Sequence, residues 1–178
     1  MNVLLIGYRG TGKTTVARHI AERLGWNWLD ADVELERRAG KSIAAMFADD
    51  GEEAFRNLES EVLADVVKLD DTIIALGGGV VGREANRDLL RGRPGVVWLQ
   101  ASPETLHARI EADAVTAGRR PNLTLHGGLT EIAMLLAKRE PWYRECAAVT
   151  IDTDTAPPDV AALQIIERLN LPPKKELR

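Results

Sequence analysis

The chain has 178 residues, 45% apolar and 28% charged, with a formal net charge of −4, the balance of one compact domain with a sizeable core. A dedicated nucleic-acid or membrane binder would carry a basic face, and no apolar run approaches membrane-spanning length. With one cysteine, Cys146, no internal disulfide and no basic leader before the apolar stretch MNVLLIGYRG, a cytoplasmic location is expected, and the chain is read as a monomer.

Val3–Ile6 reads as a first buried strand, and it runs directly into GYRGTGKT, Gly7 to Thr14. This is the pattern G-x-x-x-x-G-K-T, here after a strand and before a helix over Thr15–Leu24. Glycines let the backbone turn tightly and aim amide N–H groups at phosphate oxygens, and the helix adds the positive end of its dipole. Gly10, Thr11, Gly12, Lys13, Thr14 and Thr15 are therefore the expected ATP-binding segment. Lys13 would reach the β- and γ-phosphates, and the Thr14 hydroxyl would bind Mg²⁺. Such a loop specifies a nucleotide but not a reaction.

Trp28–Leu29 is a weaker strand, ended by Asp30-Ala31-Asp32. Alternate residues of an extended segment project to one side, so both carboxylates can face one site. There they would support a metal's water shell and take a hydroxyl proton; the other reading is a helix cap ahead of Val33–Arg38. A long helix over Glu52–Lys68 has an apolar stripe at Phe55, Leu58, Val62 and Val66, and it carries Arg56. Thr72–Ala75 is a buried strand, followed by LGGGVV, Leu76 to Val81. Gly77, Gly78 and Gly79 permit either a flexible turn or close backbone approach to a ligand.

Val96–Leu99 is the next strand, and Ser102 and Pro103 open a helix running to about Glu111. The polar stretch beyond it, with Arg119 and Arg120, is either a mobile surface loop or a lid. A further helix covers Leu129–Ala137, and Arg139 follows just before Pro141, which is expected to stop it. Arg56 and Arg139 suit a bidentate clamp on a small anionic acceptor, yet each alone also fits a solvated surface charge. Val149–Ile151 and a helix over Val160–Leu169 complete the chain before a charged tail. Strand and helix alternate, giving an α/β three-layer sandwich with a mostly parallel five-stranded sheet, whose ligands bind beyond the carboxyl ends of the strands. His19, His107 and His126 have no metal-ligand spacing, and the four tryptophans, Trp26, Trp28, Trp98 and Trp142, suit core or rim packing.

Taken together, GYRGTGKTT, LDADVELERRAGKSIAAMFADDGEEAFRNLE, LGGGVV, RRPNL and KREPWYREC resemble the shikimate kinase family from Met1 to about Leu169. The resemblance implies one P-loop kinase domain over 1–178, with a substrate-binding region at about 32–60 and a lid at about 112–127. It also implies transfer of the ATP γ-phosphate to the 3-hydroxyl of shikimate, with Mg²⁺, on the route to aromatic amino acids. By that resemblance Asp32 contacts the ring hydroxyls and accepts the proton, while Asp30 supports Mg²⁺ through water. Arg56 and Arg139 hold the shikimate carboxylate, Gly77, Gly78 and Gly79 line its pocket, and Phe47, Phe55 and Glu59 brace it. Lys13 and the lid arginine, Arg120, stabilise the moving phosphoryl group, and Pro158 belongs to the adenine loop.

The chain departs from the family at Arg120-Pro121-Asn122-Leu123, where R-P-L is usual, and between Glu111 and Arg120, which lacks the familiar lid pattern. Arg109 is the remaining candidate to pack on adenine, and Trp142 replaces a smaller apolar residue. Two other readings share the P-loop: a gluconate or nucleoside-monophosphate kinase, and a silent nucleotide-binding module. The first does not require the DAD, FRNLE and KREPWY set; the second has no chemical need for Lys13, Thr14, Asp30, Asp32 and Arg120 together.

Overall fold

The first apolar run becomes the middle strand of the sheet. In the computed structural model, which describes residues 1–113 and 128–174, β1 (Asn2–Ile6) pairs in parallel with β3 (Thr72–Ala75) and with β4 (Val96–Gln100). β2 (Asn27–Asp30) and β5 (Val149–Asp152) add at the edges, giving the order β2-β3-β1-β4-β5 with every pairing parallel. Alternate residues serve two cores. Leu4, Ile6, Ile74, Val96 and Trp98 face one layer; Val3, Leu5, Ile73, Val97 and Leu99 face the other. Burial on both faces explains why these strands read as continuous apolar runs.

One face is covered by α1 (Lys13–Leu24) and α8 (Pro158–Arg168), through Val16, Ile20, Ala161 and Ile165. Against the other pack α2 (Ala31–Ala39), α3 (Ile43–Asp49), α4 (Gly51–Val66), α5 (Glu84–Leu90) and α7 (Gly128–Cys146). The remaining helix, α6 (Pro103–Ala112), docks on Tyr8 and on Ile132 of α7 through Leu106. Ser102 caps α6 by accepting from the Thr105 amide, as its position before Pro103 predicts.

The helix ends differ from expectation at one informative place. Pro141 does not stop α7, which continues to Cys146. A proline removes one amide and turns away the carbonyl four residues back, here that of Ala137. Both residues are exposed, so water can satisfy that carbonyl, while Tyr143 and Cys146 beyond the proline are buried and anchor the last turns. The short helices α3 and α5 were not expected from periodicity. Cys146 is unpaired by any disulfide, and burial pushes its thiol up to about 11, an inert core cysteine. Among the described residues no helix is long and apolar enough to cross a membrane.

Candidate active site

The glycine loop joins β1 to α1 at the carboxyl end of the sheet. Gly7 has φ 137°, and a Cβ there would collide with the Leu99 carbonyl, so the close turn off β1 requires glycine. Gly10 and Gly12 also have positive φ, and α1 begins at Lys13, two residues earlier than its apolar pattern suggests. The Thr11 hydroxyl is buried and donates to the Tyr8 carbonyl at 2.9 Å, tightening the loop. Lys13 Nζ donates to the Gly7 and Tyr8 carbonyls, both at 2.8 Å. The ammonium is thus held at the loop's mouth by neutral acceptors, which a phosphate can outcompete.

Thr14 donates its hydroxyl to Asp30 Oδ2 at 2.7 Å, and Asp30 Oδ1 accepts from the Asp32 amide at 3.0 Å. Asp30 is therefore both the cap of α2 and a neighbour of the P-loop threonine, so the two readings of this carboxylate coexist. The two aspartates do line one cleft, but not because the segment is extended. Asp30 ends β2, while Asp32 lies in the first turn of α2, and the cap between them sets their relation. The cleft measures roughly 680 Å³ and is lined by Gly10, Gly12, Lys13, Thr14 and Thr15 on the phosphate side. Asp30, Asp32, Gly78 and Arg109 line it as well.

Gly77, Gly78 and Gly79 follow β3 and are buried. Gly78 and Gly79 each meet an arginine. The Gly78 carbonyl accepts from Arg139 Nη1 at 3.3 Å, and Arg139 lies 5.7 Å over the Tyr8 ring. Arg56 packs on Gly79, where a Cβ would stand 2.5 Å from Nη1. Its side chain is only 18% exposed and donates to Glu59 Oε2 at 2.7 Å, lying 5.0 Å over Phe55. Phe47 backs Phe55 with ring centroids 4.7 Å apart. The surface-charge reading of Arg56 is thus replaced by a held, half-buried one, because a buried carboxylate and an aromatic face compete with water for the guanidinium.

Arg109 reaches across from α6, donating to the Thr153 carbonyl at 2.6 Å and to the Gly10 carbonyl at 3.4 Å. Pro158 opens α8 as an exposed first-turn proline and is not among the residues lining the cleft. Arg119, Arg120 and His126 lie outside the described residues. His19 and His107 sit beside Glu22 and Glu111 on their own helices. Among the described residues no cluster of three or more histidine, cysteine or acidic side chains is built to hold a metal alone.

Two supports of this site were not singled out from sequence. Asn86 Nδ2 donates to the Val80 carbonyl at 2.9 Å, and Arg87 Nη1 donates to the Val81 carbonyl at 2.8 Å. Both side chains are buried on α5 and fix the 3₁₀ turn Val80–Gly82 that follows the three glycines. Polar residues on a short helix carry no periodic signal of such a role.

A backbone cradle and an ammonium share one cleft with two carboxylates and Arg109, while Arg56 and Arg139 do not line it but contact Gly79 and Gly78. That is the arrangement of a P-loop kinase that phosphorylates a small molecule. A sequence model described as shikimate kinase matches residues 9–170. The shikimate kinase of Rhodopirellula baltica is 43% identical over 85% of this chain and 81% of its own length. That of Symbiobacterium thermophilum is 42% identical over 95% and 96%. The chain belongs to the shikimate kinase family, and it is an ATP-dependent kinase. Among solved structures, shikimate kinase from Acinetobacter baumannii in complex with shikimate superposes with a TM-score of 0.85 and 36% identity, covering 93% of this chain and 90% of that one. A gluconokinase from Sinorhizobium meliloti, at 0.56 and 19%, shares the fold alone.

Proposed function

We propose that this chain transfers the γ-phosphoryl group of ATP to the 3-hydroxyl of shikimate, as a cytoplasmic monomer acting in aromatic amino acid biosynthesis. The observation that carries the assignment of roles is that Lys13, Asp32 and Gly78 line one cleft, and that Arg139 donates to the Gly78 carbonyl. The loop amides and Lys13 bind the β- and γ-phosphates, with Thr11 and Thr15 holding the loop and the start of the helix. Asp32 orients the acceptor hydroxyl and takes its proton as the oxygen bonds to phosphorus and the bond to the β-phosphate oxygen breaks. Lys13, joined by Arg120, meets the charge that develops on the phosphoryl oxygens. Arg56 and Arg139 pair with the shikimate carboxylate over Gly77, Gly78 and Gly79, and Pro158 borders the adenine.

The donor set fits Mg²⁺. Thr14 and Asp30 offer hard oxygens in contact with one another, and Mg²⁺ takes few protein ligands, keeping waters and phosphate oxygens. Thr14 would bind it directly and Asp30 through water; when bound it neutralises phosphate charge.

The deciding experiment is coupled ADP release with shikimate, ATP and Mg²⁺, against no acceptor, gluconate and nucleoside monophosphates. Shikimate-dependent turnover is expected, with shikimate 3-phosphate as product. ADP release with another acceptor and none with shikimate would overturn the substrate assignment.

Gly79→Ala probes the acceptor side alone. The new methyl would stand 2.5 Å from Arg56 Nη1, the end of a flexible side chain, so the arginine moves and the fold survives. Displacing it from Glu59 and the pocket should raise the shikimate KM by about tenfold, near the worth of one charge-assisted bond. The ATP KM should stay within about twofold. Steady-state kinetics with each substrate varied checks both, and an unchanged shikimate KM would remove Arg56 from the pocket.

A further inference from the structure

We infer that Tyr143 is a positioning residue for acceptor binding: it holds the Gly78 carbonyl so that Arg139 is free to turn to the substrate. The inference rests on the reading that Arg139 meets the acceptor carboxylate. Tyr143 OH donates to the buried Gly78 carbonyl at 2.5 Å, and Arg139 Nη1 donates to the same oxygen at 3.3 Å. The hydroxyl bond is short, while the guanidinium bond lies beyond the usual range for an N–H donor. Both donors come from α7, four residues apart and hence on one face.

Their mobility differs in the same sense. Tyr143 is 0% exposed, and its ring stacks on Trp98 with centroids 5.8 Å apart, so its hydroxyl stays in place. Arg139 is half-buried beside Gly78, which lines the cleft, and it lies over the Tyr8 ring. When an anionic group enters, Arg139 gives up a weak bond and the Gly78 carbonyl keeps a strong one. Without the Tyr143 hydroxyl, Arg139 becomes the donor that α7 leaves on that carbonyl. Its departure would then strip a buried acceptor, a loss on the scale of tenfold or more in affinity.

Tyr143→Phe removes one oxygen and keeps the ring on Trp98, so a folded protein is expected, melting about 2–4 °C lower. The shikimate dissociation constant should rise about tenfold, while kcat at saturating shikimate and the ATP KM change less than about threefold. A purely structural role would move the melting temperature without this split. The double-mutant cycle with Arg139→Ala is the decisive measurement. In the Arg139→Ala background, Tyr143→Phe should leave shikimate binding unchanged but lower the melting temperature more than it does alone, because the carbonyl then loses both donors. Wild-type shikimate binding by Tyr143→Phe, beside impaired Arg139→Ala, overturns the inference and leaves the arginine clamp standing. Equal losses of affinity in both backgrounds also overturn it, since Tyr143 would then act independently of Arg139. Normal binding by Arg139→Ala removes the clamp itself, and the inference with it.

Discussion

Replacing Lys13 with methionine should lower kcat by about 10³-fold or more in a protein that remains folded. A preorganised donor at a developing oxyanion is worth about 10²–10³ in rate, and a full positive charge on a transferring phosphoryl group can exceed that. The loss corresponds to roughly 4 kcal/mol of transition-state stabilisation. A structural effect accompanies the chemical one. Lys13 Nζ holds the Gly7 and Tyr8 carbonyls at 2.8 Å, so the variant also loses two bonds that close the loop when no phosphate is present. A fall of several degrees in melting temperature is therefore expected, from about 1–3 kcal/mol of lost charge-assisted bonding in a half-buried position. The two effects separate experimentally. ATP brings phosphate acceptors and no donor for those carbonyls, and it binds the wild type more tightly through Lys13, so the stability deficit should widen with nucleotide while single-turnover transfer stays slow at saturating ATP. A folded Lys13→Met protein that transfers phosphoryl groups within about tenfold of the wild-type rate would remove this lysine from the chemistry.

What the sequence discloses follows from where each feature's physical constraint resides. The loop Gly7 to Thr14 is legible because its constraints are local: a turn that only glycine allows, a helix start and a lysine beside it. The strands are legible because a parallel sheet covered on both faces needs unbroken apolar runs, as Leu4, Ile74 and Val97 show. The path of α7 through Pro141 is not, since that proline is tolerated only because Ala137 faces water and Tyr143 is buried beyond it. Asp30 and Asp32 line one cleft, but not for the reason an extended segment suggests. The capping bond that turns β2 into α2 sets their relation, not a shared strand face. Arg56 looks like a surface charge by residue type, and only its packing on Gly79, 23 positions away (79 minus 56), reveals otherwise. Asn86, Arg87 and Tyr143 bond to carbonyls of the three-glycine segment after β3 and of the turn that follows it, and such contacts leave no spacing to read.

Asp32→Asn should cut kcat by about 10²- to 10³-fold at any Mg²⁺ concentration. The substitution keeps the side chain's size and leaves the backbone amide that Asp30 Oδ1 accepts from, so α2 should still start at Ala31. What disappears is the proposed proton acceptor, a carboxylate that lines the same cleft as Lys13. General-base removal typically costs 10²–10⁴, and the lower half applies because phosphoryl transfer has a loose transition state in which the attacking hydroxyl loses its proton late. Asp30→Asn provides the contrast, because Asp30 uses both oxygens at once, one on the Thr14 hydroxyl and one on the Asp32 amide. An amide has a single oxygen, so if it keeps the Asp32 amide its nitrogen must donate to the Thr14 hydroxyl, reversing that bond, and the negative charge beside Thr14 is gone. Its defect should therefore shrink as Mg²⁺ is raised from micromolar to tens of millimolar, as expected for a group that supports the metal. Titrating Mg²⁺ against kcat for both variants decides between the two roles. Recovery of Asp32→Asn at high Mg²⁺, or a loss of less than about threefold at saturating substrates, would show that Asp32 belongs with the metal or with binding alone. The proton would then have to leave through another group or through solvent.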